Sequence, residues 1–108
     1  MGLSIFSDKY FMKQTYLEAQ KALEEDEIPI GALVTCNGKI IARAHNQTET
    51  LNDVTAHAEM LAVTAAANAI GAKYLEECTL YVTLEPCPMC AGALAHAHVA
   101  KVVFFPLF

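Results

Sequence analysis

The chain lacks a stretch that could cross a membrane. Its most apolar segment, residues 89–108, is interrupted by His96, His98 and Lys101, so no strongly apolar run of 18 uncharged residues exists. The first residues, MGLSIFSDKY, also lack a basic start followed by a long apolar run, so no secretory signal is predicted. We therefore expect a cytoplasmic protein with no membrane partner.

A disulfide framework, internal repeats, linkers and low-complexity segments are missing too. The 108 residues include only four cysteines, too few for a small disulfide-stapled scaffold of this length. Cys36 and Cys78 lie in apolar, strand-like runs and are predicted to be small buried side chains. Cys87 and Cys90 differ, because they share a CxxC spacing. We expect one domain over residues 1–108.

Positive charge is scarce. Seven lysines and arginines face twelve acidic residues, which gives a net charge of −5. Hydrophobic residues make up 55% of the chain, enough for a folded core, so disorder is not expected. An acidic balance is the opposite of what affinity for a phosphate backbone requires, so a nucleic-acid role would need local basic patches.

The first half of the chain predicts a helix followed by a hairpin. Apolar residues recur at helical spacing after a start at Ser7 and Asp8: Met12, Tyr16, Ala19 and Leu23. The acidic run at residues 24–27 is expected near the helix end, in a solvated turn, and Pro29 prevents continuation. Two β-rich runs at residues 28–36 and 39–45 surround Asn37-Gly38, the strongest short-range hairpin signal.

The second half predicts a helix and then a strand–helix–strand unit. Thr55 can cap a helix that runs to about Ala69, with Gly71 near its end. A strand in CTLYVTLE precedes a helix in which Pro88 takes the first position and Cys87 the N-cap; it runs to about residue 98. AKVVFF is the last strand. The order α-β-β-α-β-α-β predicts an α/β protein with a mixed sheet and helices packed on it.

Three metal-ligand side chains fall at predicted helix starts. His57 offers a nitrogen, and Cys87 and Cys90 offer sulfurs, a set that suits Zn²⁺. Three protein ligands leave one tetrahedral position open, which is typical of a catalytic site. The positive ends of the two helices are expected to favour the thiolate form of both cysteines.

Glu59 follows His57 by two residues, a spacing that sets a geometric condition. Side chains at i and i+2 of a helix point about 200° apart, so both can serve one centre only if the helix points end-on at it. If it does, Glu59 can exchange protons with a water there. Two alternatives stay open: a CxxC redox pair, and a His-x-Glu that is only surface decoration. His45, His96 and His98 form no comparable group and are expected at the surface or an interface.

These motifs resemble a known family. HAE at residues 57–59 and PCPMC at residues 86–90 match H-x-E…P-C-x-x-C, the established signature of zinc nucleobase deaminases. Over residues 8–104 the sequence is similar to the bacterial tRNA-specific adenosine deaminases. The segments that carry this similarity are EIPIGALV, ARAHNQT, DVTAHAEM, YVTLEPCPMCAGAL and KVVF. The resemblance implies a three-layer cytidine-deaminase-like fold, with a central mixed sheet and helices on both faces.

The resemblance also implies a reaction and its machinery. His57, Cys87 and Cys90 would hold the zinc, and Glu59 would move protons between water and substrate. The reaction would convert adenosine to inosine at the wobble position of a tRNA anticodon loop, with the base splayed out of its stack. A homodimer is implied as well. The alternatives are deamination of free guanine- or cytosine-type bases or nucleosides, and an inactive zinc-binding remnant.

The resemblance further implies two substrate-binding residues. Asn46 matches the family's asparagine that hydrogen-bonds the purine, although its place at the start of a polar loop also suits a turn former. Ile30 matches an apolar pocket position, with buried core as the equal alternative. Gly31 would allow close approach of the backbone to a base.

Two features depart from the family pattern. Val54 stands where the family usually has proline, and the chain reads FPLF where family members continue with a further strand and a basic helix. We therefore expect a C-terminally shortened domain with lowered RNA affinity. We also expect an apolar patch at Phe104, Phe105, Leu107 and Phe108.

Overall fold

A computed structural model describes residues 7–104 of the chain. Its elements are α1 (Asp8–Glu24), β1 (Gly31–Cys36), β2 (Lys39–His45), α2 (Ala58–Ile70), β3 (Cys78–Val82), α3 (Pro88–His96) and β4 (Lys101–Phe104). The predicted order of helices and strands is confirmed. Phe105, Leu107 and Phe108, three members of the expected apolar patch, lie outside the described residues. No helix within residues 7–104 is long and apolar enough to cross a bilayer.

The four strands form one mixed sheet in the order β2-β1-β3-β4. β1 runs antiparallel to both β2 and β3, and β4 runs parallel to β3. Asn37 and Gly38 turn the β1–β2 hairpin with φ angles of 53° and 78°, the left-handed conformation that a two-residue hairpin of this kind requires. The hairpin prediction and the mixed sheet are therefore confirmed.

One face of the sheet is covered by α1. Phe11 and Met12 of the helix pack against Leu33, Tyr81 and Val103 of the strands. The Tyr81 hydroxyl donates a hydrogen bond of 2.6 Å to Asp8 Oδ1, and burial raises the pKa of Tyr81. Helix α1 is thus fixed to the sheet by apolar contacts and, at its first residue, by a polar contact with Tyr81.

The other face of the sheet is covered by α2 and α3. Alanines at helical spacing, Ala58, Ala62 and Ala66, are fully buried in a core that also contains Val34, Leu80, Val82 and Leu94. Their small side chains allow the helix backbone to lie close to the strands. Helices on both faces give the predicted three layers.

The antiparallel pairing of β1 determines which loops meet. Gly31, the first residue of β1, pairs with His45, the last residue of β2. The Gly31 N–H donates to Thr83 Oγ1 at 3.1 Å, and the Thr83 N–H donates back to the Gly31 carbonyl at 3.2 Å. Residues 27–30, 46–57 and 83–87 therefore gather at one edge of the sheet.

Three local predictions are wrong. Leu23, predicted on the apolar stripe of α1, is 59% exposed, whereas Thr15 and Glu18 are buried on that helix. α2 begins after His57 rather than after Thr55, because Asp53 Oδ1 accepts hydrogen bonds from both the backbone N–H and the hydroxyl of Thr55. α3 ends at His96, two residues early.

Candidate metal centre

His57 and Cys87 occupy equivalent positions at the starts of two helices. Each is an N-cap with extended backbone, φ −74° and ψ 150° for His57 and φ −71° and ψ 169° for Cys87. Neither side chain caps its own helix, so both are available for other contacts. Pro88 takes the first position of α3, which places Cys90 as the third helical residue, as the sequence predicts.

The three predicted ligand side chains come together. His57 Nδ1 lies 3.6 Å from Cys87 Sγ and 3.5 Å from Cys90 Sγ, and all three ligand atoms lie within 4.8 Å of one another. A zinc ion bound tetrahedrally through one nitrogen and one sulfur holds those two atoms about 3.6 Å apart. The donor set and its spacing therefore fit Zn²⁺ without rearrangement.

Glu59 is buried next to this cluster. It is the second residue of α2 and only 4% exposed, and its Oε1 atom is buried with no hydrogen-bond partner among the described residues. A buried carboxylate oxygen without a partner is costly, and sites of chemistry are where such atoms persist. The 200° separation expected for two helical residues at i and i+2 does not apply to His57 and Glu59, because His57 lies outside the helix and has an extended backbone.

Burial, and next the carboxylate of Glu59, raises the pKa of Cys90 to about 12. Burial and the Glu59 carboxylate therefore oppose the effect expected from the helix N-terminus on this sulfur. A divalent cation is the group whose charge offsets both effects, because it stabilises the thiolate and the carboxylate together. The electrostatics of the cluster and its geometry thus both favour a bound divalent cation.

The remaining histidines and cysteines lie elsewhere. His45 contacts Glu25 at 3.0 Å, and His98 contacts Glu76 at 3.4 Å. His96 is exposed. Cys78 is 1% exposed and Cys36 is half-buried opposite it on β1 and β3, close to the predicted buried positions.

Asn46 and Ile30 lie on adjacent segments at the same sheet edge. The Asn46 N–H donates to the Ile30 carbonyl at 3.0 Å, and the Gln47 N–H donates to the Ala56 carbonyl at 3.0 Å, one residue before His57. Asn46 is 3% exposed. Ile30 is partly buried and packs against the core between the sheet and α2, so the core alternative has direct support.

Gly31 makes a close approach to helix α1. A Cβ at this position would lie 2.3 Å from the Thr15 carbonyl oxygen and 2.5 Å from the Ala19 nitrogen. Gly31 therefore has a packing role against α1.

Glu27 is the residue that sequence reasoning missed. The acidic run was expected to form a solvated turn, and Glu24, Glu25 and Asp26 are indeed exposed, but Glu27 is 4% exposed. Its carboxylate accepts hydrogen bonds from Asn46, Thr48, Glu49 and Thr50. Nothing in the acidic run itself distinguishes Glu27, because its partners lie about twenty residues later.

Comparison with known sequences gives a family match over nearly the whole chain. Residues 6–106 match the family described as the cytidine and deoxycytidylate deaminase zinc-binding region. The chain is 57% identical over 97 residues to the tRNA-specific adenosine deaminase of Bacillus subtilis (strain 168), a match that covers 90% of this chain and 60% of that relative. The chain therefore spans less than two thirds of the length of that curated protein.

Two solved structures have similar folds. One comes from a study of A-to-I editing by tRNA:A34 deaminases at the wobble position of transfer RNA; it superposes with a TM-score of 0.87 at 46% identity, over 89% of this chain and 74% of that one. The other is the guanine deaminase of Bacillus subtilis, with a TM-score of 0.90 at 37% identity, over 93% of this chain and 64% of that one.

Proposed function

Because the chain belongs to the cytidine and deoxycytidylate deaminase zinc-binding family, we propose that it is a zinc-dependent hydrolytic deaminase of transfer RNA. It converts adenosine to inosine at the wobble position of the anticodon loop. The observation that carries this proposal is the convergence of the His57, Cys87 and Cys90 ligand atoms beside a buried carboxylate oxygen of Glu59 that has no described partner.

His57, Cys87 and Cys90 would hold the zinc ion. A zinc ion held in this way supplies a water molecule that is more acidic than bulk water. Glu59 would take one proton from the attacking water and give it to the ring nitrogen as the C6–O bond forms, then take the remaining hydroxyl proton of the tetrahedral adduct and give it to the amine as the C6–N bond breaks, so that one water is consumed and one ammonia leaves. The partnerless Oε1 of Glu59 supports this role, because it can accept a hydrogen bond that no described residue supplies.

Asn46 and Ile30 bind the base. Asn46 supplies a hydrogen bond to the purine and Ile30 an apolar contact at the pocket wall. Their backbones are joined by the hydrogen bond from Asn46 to Ile30, and the next residue, Gln47, is bonded to Ala56 beside the ligand His57. These bonds support a base-binding wall that is continuous with the metal centre.

A wobble adenosine is favoured over a free base by sequence similarity. Among the superposed structures, identity is 46% to the one from the study of tRNA:A34 deaminases and 37% to the guanine deaminase. The second candidate is nevertheless deamination of free guanine, which is favoured by the TM-score of 0.90 to that enzyme and by the net charge of −5.

We further propose that residues 1–108 form a single deaminase domain that acts in the cytoplasm as a homodimer. The one sheet to which all strands of residues 7–104 contribute supports a single domain. Sedimentation of the zinc-loaded protein at several concentrations tests the dimer; a monomer throughout contradicts it.

The experiment measures zinc content and ammonia release in parallel. The substrates are an anticodon stem-loop RNA with adenosine at the wobble position, a matched RNA with guanosine there, and free guanine, cytosine and adenosine. We expect one zinc per chain, and ammonia with inosine from the first RNA alone. Glu59→Gln is the control for contaminating deaminases. Release from free guanine alone supports the second candidate, whereas one bound zinc with no release from any substrate refutes both.

A further inference from the structure

The carboxylate of Glu27 is saturated by hydrogen-bond donors. Oε1 accepts from Asn46 Nδ2 at 3.3 Å, from Thr48 Oγ1 at 3.5 Å and from the Glu49 N–H at 3.1 Å. Oε2 accepts from the N–H and the hydroxyl of Thr50 at 2.6 and 2.7 Å. Within residues 7–104 no basic side chain forms an ion pair with Glu27, so neutral donors alone compensate its buried charge.

These bonds keep Glu27 ionised. Burial alone would raise its pKa, but the hydrogen bonds from Thr50, Glu49 and Thr48 outweigh burial, and the pKa lies below the ordinary value of 4.5. An ionised carboxylate can only accept hydrogen bonds. Any amide that contacts it must therefore present its nitrogen.

Asn46 is the amide that makes this contact. Its Nδ2 donates to Glu27 and lies 3.4 Å from Thr48 Oγ1, which turns Oδ1 away from both. The residue is 3% exposed, and Nδ2 donates both of these side-chain hydrogen bonds. Oδ1 is therefore the accepting atom of the amide that these contacts do not use, and the Asn46 backbone is joined to Ile30.

We propose that Glu27 is a positioning residue that fixes the amide of Asn46 with Oδ1 turned toward the substrate. This inference rests on the proposed function, in which Asn46 binds the base. The site then offers the base a hydrogen-bond acceptor and selects an N–H donor. The amino group that deamination removes from adenine is such a donor.

A double-mutant cycle tests the coupling between the two residues. Glu27→Gln keeps the size of the side chain but replaces one of its two accepting oxygens by an N–H₂ group. That group cannot accept the hydrogen bonds that the neighbouring donors now make to this oxygen. We expect Glu27→Gln and Asn46→Ala each to lower kcat/KM on the wobble-adenosine stem-loop roughly 10- to 100-fold. The double variant should match Asn46→Ala within roughly twofold, because Glu27 acts only through Asn46.

Zinc content should be unchanged in all three variants. Glu24→Gln is the matched control: it makes the same charge change in the same acidic run, at an exposed side chain. It should keep the kcat/KM of the unsubstituted protein. Losses that multiply in the double variant overturn the proposal, as does a Glu27→Gln protein that melts earlier but keeps full kcat/KM when folded and zinc-loaded.

Thr50→Val provides a second variant in case Glu27→Gln does not fold. It removes the hydroxyl that donates to Oε2 and leaves Asn46 and the Glu27 carboxylate in place. We expect a loss in kcat/KM of roughly 2- to 10-fold that disappears in the Asn46→Ala background. The same loss in both backgrounds contradicts the proposal.

A measurement that does not depend on catalysis, nuclear magnetic resonance of the Asn46 side chain, separates this inference from the proposed function. In the zinc-loaded protein, the side-chain N–H₂ resonances of Asn46 should be protected from exchange with solvent. Protection should be lost in Glu27→Gln and retained in Glu24→Gln. If the stem-loop is not deaminated, the proposed function fails and the resonances still decide what Glu27 does. Protection that persists in Glu27→Gln overturns the positioning role in either case.

Discussion

Replacing Gly31 by alanine should separate helix α1 from the sheet. A Cβ there meets the Thr15 carbonyl oxygen at 2.3 Å, the Ala19 nitrogen at 2.5 Å and the Glu18 Cβ at 2.8 Å. Cβ atoms essentially never approach other heavy atoms closer than 3.0 Å, so all three contacts must open. Two of these atoms belong to the backbone of α1, so the clash cannot be relieved by rotating one side chain. The helix itself would have to move, and the buried Phe11 holds it against the sheet.

Overpacking of this kind costs about 1–3 kcal/mol, and the backbone contacts place Gly31→Ala at about 3 kcal/mol. For a domain of roughly 100 residues, each kcal/mol lowers Tm by about 4 °C or more, so Tm should fall by about 12 °C. The assay is thermal unfolding of the metal-free protein followed by circular dichroism, with urea unfolding as a check on the free energy.

Gly92→Ala is the matched control with the opposite expected sign. Gly92 is exposed inside α3, and a Cβ added there meets nothing within 4 Å. Alanine stabilises a helix interior by about 0.5–1 kcal/mol relative to glycine, so Tm should rise by a few degrees. If Gly31→Ala melts within about 2 °C of the unsubstituted protein, the close approach of α1 to β1 is not as tight as the geometry requires.

Three further outcomes are expected. Cys87→Ser and Cys90→Ser should each abolish stoichiometric zinc by elemental analysis, and a full zinc equivalent in either variant contradicts the ligand assignment. Glu59→Gln should retain zinc while deamination falls about 10²- to 10⁴-fold, and unchanged turnover would refute the proton-transfer role. Because the folded-state pKa of Glu27 is lowered, its stabilisation is present above about pH 4.5 and lost as the pH falls through that lower value. Tm of the unsubstituted protein should therefore fall more steeply between about pH 5 and 3 than Tm of Glu27→Gln; parallel curves contradict this.

The side chains of the candidate metal centre could be predicted because their signals are local. For Cys87 and Cys90, ligand type, CxxC spacing and a proline that fixes the first position of a helix are all present within residues 86–90, and for His57 the His-x-Glu spacing is present within residues 57–59. The same logic failed at Thr55, a good N-cap residue by type. Asp53, two residues earlier, accepts the hydrogen bonds of Thr55, so the helix begins at the next available extended residue, His57.

Two buried carboxylates, Glu18 and Glu27, were missed because they have partners distant in sequence. Glu18 is buried on α1 and pairs with Lys21 at 3.0 Å, but also with Arg43 at 3.5 Å and His45 at 3.8 Å on β2. Hydrophobic periodicity cannot detect such a residue, since it counts a glutamate as a surface position. Leu23 was misplaced for the same reason: the buried side of α1 includes Thr15 and Glu18, which turns Leu23 to solvent.

Glu27 and Glu59 show how one sheet edge uses two buried carboxylates differently. Glu27 has a donor for both oxygens, five contacts in all, from Asn46, Thr48, Glu49 and Thr50, so it has no capacity left for a substrate. Glu59 has an oxygen with no described partner, so it retains capacity for a hydrogen bond from a water or a substrate atom. A fully hydrogen-bonded carboxylate is held in place, whereas a carboxylate oxygen without a partner can still accept a hydrogen bond. This difference in the number of donors is why we propose Glu27 as a positioning residue and Glu59 as the proton-transfer residue.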